Sequence, residues 1–67
     1  MNRLMQFFKF EHLPEHLKVP SLKCWELACQ IDAILPEGAE KTAGLRKLLE
    51  AKDCFVRALI EHNASGL

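Results

Sequence analysis

The tripeptide Pro36-Glu37-Gly38 interrupts two stretches whose apolar residues recur at helical spacing, and it leaves few ways to arrange them. Proline stops the preceding helix, and the glycine two residues on supplies a turn position. Helices joined by so short a connection must lie antiparallel, so the chain is expected to be all-α, built on an antiparallel helical hairpin. The first helix is expected over about residues 21–35. There Ser21 follows Pro20 with an N-capping side chain, and Leu22, Trp25, Leu27, Ala28, Ile31, Ile34 and Leu35 form a broad apolar face. The second is expected over about residues 38–63, with Ser65-Gly66 fraying beyond it.

Size limits what this hairpin can do alone. A chain of 67 residues makes a single domain, 1–67. A fold this small buries only about 60% of its unfolded surface, and its core rarely supplies more than about 3–5 kcal/mol, so a staple, a metal or self-association is expected to add to it. Cys24, Cys29 and Cys54 are odd in number, lack CxxC spacing, and two of them share the first helix. They read as reduced thiols serving as small apolar groups in a cytosolic chain. His12 and His16 are four apart, a chelating spacing on a helix, but Pro14 lies between them and no further ligand is placed, so no metal or other cofactor is expected. Self-association is left. Composition agrees, since 49% of the residues are hydrophobic against nine acidic and nine basic side chains, and a homo-oligomer is expected. Zero net charge argues against a duplex nucleic-acid partner while permitting a local basic pocket.

The N-terminal arm, residues 1–20, opens with Leu4, Met5, Phe7, Phe8 and Phe10 and carries only Arg3 and Lys9 as charges before Glu11. This run is too short to cross a bilayer and lacks the small-residue cleavage site of an export signal, so no membrane partner is expected. An apolar arm that docks on the body or on a neighbour is the simplest account. Pro14 and Pro20 then punctuate the chain, leaving residues 12–18 as a turn or a single helical turn.

On the second helix, Leu45, Leu48, Leu49, Phe55, Val56, Leu59 and Ile60 fall in an arc of roughly 140°, wider than one partner helix needs. One side can pack on the first helix while another stays free. Ala43, Gly44, Ala51 and Ala58 lie outside the centre of that arc, where a second backbone could approach closely. Lys41 and Lys52 project near its middle, which means either pairing with a carboxylate such as Asp32 or facing an anion held between chains. With Thr42 and Arg46, Lys41 places two cations and a hydroxyl in the opening turns of a helix, where free amides and the helix dipole favour a phosphate. Solvated charges at an ordinary helix start are the plainer alternative. Trp25 reads as core, and Phe10 is the better stacking surface because it lies in the arm. No catalytic residue is expected. Cys54 could approach a histidine, but no third group or oxyanion loop accompanies it, and one hairpin offers little concave volume.

The run Pro36-Glu37-Gly38-Ala39-Glu40-Lys41-Thr42, continuing through Leu45, Leu48, Glu50-Ala51 and Leu59, resembles the hairpin domain shared by phage anti-CBASS sponges and the related anti-Thoeris sponges. Phe10-Glu11-His12-Leu13-Pro14 is similar to the aromatic-histidine segment that opens many members, so the resemblance covers about residues 10–62. It implies sequestration without catalysis: compact helical oligomers, often hexamers, that hold cyclic oligonucleotides or cyclic ADP-ribose-type immune signals between protomers in the infected host's cytoplasm. By position it implies ligand contacts at Phe10, His12, Lys41 and Thr42. Ala39 stands where many members have arginine, so a phosphate contact there passes to Lys41 or Arg46. Val56 replaces the asparagine found in several members of the family.

Overall fold

The computed structural model describes residues 1–64, and the expected fraying at Ser65-Gly66 lies outside them. A 3-10 helix over Arg3–Phe8 and a shorter one over Glu15–Leu17 precede two long helices, α1 (Lys18–Ile34) and α2 (Ala39–Ala64). No strand occurs among the described residues. The helices pack as a hairpin whose connection is residues 35–38.

That connection follows from its sequence. Leu35 is extended, at φ −106° and ψ 140°, as the residue before a proline prefers, while its N–H still donates to the Ile31 carbonyl at 3.1 Å. The Gly38 carbonyl accepts from Thr42 N–H at 3.1 Å and so opens α2. The 26 residues of α2 outreach the 17 of α1 by about 13 Å at 1.5 Å per residue, and the molecule is 43 Å long but only 19 × 15 Å across.

Helix α1 begins earlier than the sequence indicated. Lys18, Val19 and Pro20 form its first turn, where backbone N–H groups have no intrahelical acceptor and the proline forfeits nothing. Pro20 is therefore not a boundary and Ser21 is not an N-cap. Its side chain is wholly buried inside the helix instead.

The buried face of α1 differs too. Ser21, Cys24 and Ala28 are the buried positions, whereas Leu22, Leu27, Ile34 and Leu35 are exposed and Trp25 and Ile31 only partly covered. The reason is the arm. Leu4, Met5 and Phe8 of the first 3-10 helix lie in the core beside Cys24, Ala28 and Leu45. A row of small side chains at i, i+3 and i+7 is what leaves room for Phe8 and Met5. The arm thus docks on its own body as a third layer. Cys24 serves as the small apolar group expected, while Cys54 is exposed.

Candidate functional site

The hairpin turn is held by a polar cluster centred on Lys41. Its ammonium lies 2.9 Å from Asp32 Oδ1 and 2.6 Å from Glu37 Oε1, and it donates to the carbonyls of Asp32 and Leu35, both at 2.9 Å. An ammonium has three hydrogens, and these oxygens use them. The Asp32 carbonyl lies in the last turn of α1, where carbonyls lack intrahelical donors, so the lysine also caps that helix. Asn2 joins from the other side. Its backbone N–H donates to Asp32 Oδ1, and its amide group donates to Glu37 Oε2 and Thr42 Oγ1, each at 3.1 Å. Asn2 Oδ1 accepts from Leu4 N–H at 2.9 Å and so caps the first 3-10 helix. The hydrogen bond from Lys41 holds the Asp32 carboxyl below its usual range, and the bonds to Glu37 and then Asp32 raise the Lys41 ammonium above its own.

This arrangement bears on the phosphate expected at the start of α2. Of the two readings of Lys41, pairing with Asp32 is the one present in the protomer. Thr42 already accepts a hydrogen bond from Asn2, and Glu40 occupies the first turn with Glu37 just before it, so carboxylates meet the positive end of the helix dipole. Arg46 is exposed.

Phe10 and His12 lie elsewhere. Leu13 N–H donates to the Phe10 carbonyl at 3.1 Å, closing a turn in which Phe10 is half-buried and His12 exposed. His16 belongs to the separate 3-10 helix beyond Pro14, so the two histidines do not share a helix face. Beside this turn an open groove of about 210 Å³ is lined by His12, Leu13, Ser21, Lys52, Asp53, Val56 and Arg57. Lys52 is buried because its ammonium donates to the Phe7 carbonyl at 3.1 Å, near the end of the first 3-10 helix, and it lies 3.4 Å from Asp53 Oδ1. The sequence offered no sign of this groove, because its residues come from three segments and Ser21 looked like a cap.

Sixteen positions of α2 separate Lys41 from Arg57, about 24 Å along the helix. Phe10 and His12 are therefore near one end of the protomer and Lys41 and Thr42 near the other, with Arg46 closer to the latter. Around the far end of α2, Phe55 and Ile60 are about half exposed and Val56 and Leu59 partly so, which leaves the apolar arc open at that end, whereas nearer the start of the helix α1 and the arm cover it. Gly44 has nothing within 4 Å of where a Cβ would stand, so no backbone of the same protomer approaches it.

Comparison with protein-family models, curated proteins and solved structures yields no match. None of the helices among the described residues is long and apolar enough to cross a membrane.

Proposed function

We propose that the chain is a phage immune-evasion protein that sequesters host cyclic oligonucleotide messengers, or cyclic ADP-ribose isomers, without cleaving them, as a homo-oligomer of about six copies in the cytoplasm of the infected bacterium. The observation that carries this reading is the groove beside the Phe10–His12 turn, which continues through Val56 onto an uncovered apolar stripe. A neighbouring protomer seated on that stripe would also wall the groove. The resemblance over residues 10–62 points the same way.

In this reading the two ends of different protomers complete each pocket. Phe10 stacks on a base and His12 lines the edge, while Arg46 of a neighbour meets a phosphate. Thr42 contributes its hydroxyl. Lys41 sets the position of that turn, its own charge being met by Asp32 and Glu37. Effective competition with a host receptor calls for nanomolar affinity, about −12 kcal/mol, which one exposed hairpin could hardly reach but desolvated donors from two chains could.

A helical module that binds a host protein through the same stripe is the second reading, favoured by the exposure of Phe55 and Ile60. Titration of the purified oligomer against cyclic di- and trinucleotides and cyclic ADP-ribose isomers separates the two. Saturable binding with intact ligand recovered supports the sponge; silence across the panel transfers the assignment to the protein-binding module.

A further inference from the structure

A second groove, of about 390 Å³, lies between the first 3-10 helix and α1, with Arg3, Met5, Gln6, Lys9 and Trp25 in its lining. That volume is within the range of about 300–1,000 Å³ usual for small-molecule sites. In a 3-10 helix, side chains three apart eclipse and stand about 6 Å from one another, so Arg3 and Gln6 form one row, and Lys9, the C-cap at φ −60°, continues it. One wall therefore carries two cations.

These cations are uncommitted, unlike the buried Lys41 and Lys52. Among the described residues Arg3 and Lys9 make no ion pair or hydrogen bond; Lys9 acts on Glu11 only at longer range, and the Glu11 carboxylate is held by Phe10 N–H. No carboxylate lines the groove. Asp32, reached from Asn2, is already met by Lys41 at 2.9 Å. The amides at the start of the 3-10 helix are taken as well, Leu4 N–H by Asn2 Oδ1 at 2.9 Å and Met5 N–H by the Asn2 carbonyl at 3.0 Å. Anion recognition here falls to side chains.

Trp25 supplies the opposite wall. Its ring packs against the core of Leu4, Met5 and Phe8, which fixes it, while the part left uncovered lines the groove. A fixed aromatic ring beside Met5, facing a guanidinium whose donors are all unused, suits a ligand that is flat at one end and anionic at the other.

We infer that this groove binds a nucleoside monophosphate, its base stacked on Trp25 and its phosphate met by Arg3, with Lys9 adding charge along the row. A neutral nucleoside gains only the stacking, and free phosphate only the charge. The site uses none of Phe10, His12, Thr42 or Arg46, lies within one protomer, and needs neither an assembly nor a cyclic ligand.

Trp25 is the only tryptophan of the chain, so its fluorescence reports on this groove directly. Titration of the full chain with adenosine 5′-monophosphate, excited at the red edge where the nucleotide does not absorb, should quench it saturably with a midpoint below about 1 mM. Adenosine should need about tenfold more, and inorganic phosphate should leave the emission unchanged. Arg3→Gln, at an exposed position, should weaken the nucleotide about tenfold and leave adenosine as it was, with the parent's circular dichroism; Lys9→Gln should weaken it about threefold. Quenching that stays linear in nucleotide, adenosine binding as tightly as its monophosphate, or parental affinity in Arg3→Gln would each overturn the inference. If the monophosphate binds here while every cyclic oligonucleotide fails, this site stands and the sponge reading falls; if a cyclic oligonucleotide binds equally well to Arg3→Gln while the monophosphate fails, the reverse holds.

Discussion

Lys41 shows how a single side chain that looks available for a ligand becomes structural once the chain folds. Placed in the apolar arc of α2, its ammonium finds the acidic side chains Asp32 and Glu37 and the carbonyls that end α1, and Asn2 completes the cluster from the arm. Because the folded-state Asp32 carboxyl titrates below its ordinary 3.8, the stability it contributes is fully present above that pH and is lost as pH falls through the lowered value. Lys41 works in the opposite direction: its contribution is present below 10.5 and is lost as pH rises through the elevated folded value. Thermal melts of Asp32→Asn should therefore start from a lower melting temperature at neutral pH and show a shallower acid limb than the parent. Identical acid limbs would exclude this role for Asp32. Phe8 is a second test at this scale. It is fully buried, so Phe8→Ala should cost about 3–5 kcal/mol, comparable with everything a core of this size supplies. Circular dichroism of that variant should show a largely unfolded chain at micromolar concentration.

Among the elements, the hairpin was legible because Pro36 and Gly38 leave little freedom at the join; the width of the apolar arc of α2 signalled a second neighbour, which is the arm packed beside Leu45, and the uncovered apolar residues lie at the far end of the helix instead. The start and the buried face of α1 were not. A proline inside a first turn looks the same in sequence as a proline before a helix. Packing on that face is carried by Ser21, Cys24 and Ala28, whose small size matters only once Phe8 and Met5 of the arm are placed against them. Hydrophobic periodicity selects Leu22 and Leu27 instead, and both are exposed. Of the candidate site, the aromatic-histidine turn and the start of α2 were recognisable as chemistry. Their separation along α2 and the internal engagement of Lys41 depend on tertiary structure. Phe55 and Ile60 give the prediction for this scale: replacing both with glutamate should leave helical content within error while reducing the particle measured by light scattering to a monomer. An unchanged mass would show that the stripe is not where copies meet.

For the whole molecule, a slender three-layer unit 43 Å long, with an apolar stripe at one end and the residues proposed to meet the ligand divided between two ends, makes most sense as part of an assembly. If assembly and folding are linked, the melting temperature of the parent chain should rise with protein concentration, and the glutamate double variant should lose that dependence. The most direct measurement is calorimetric titration of the purified assembly with a panel of cyclic di- and trinucleotides and cyclic ADP-ribose isomers, followed by chromatography of the released ligand. The account predicts nanomolar, stoichiometric binding of at least one member, its recovery uncleaved, and loss of binding by at least tenfold in Arg46→Ala with the assembly intact. Absence of heat across the whole panel from a correctly assembled protein, or recovery of a cleaved product, would contradict it.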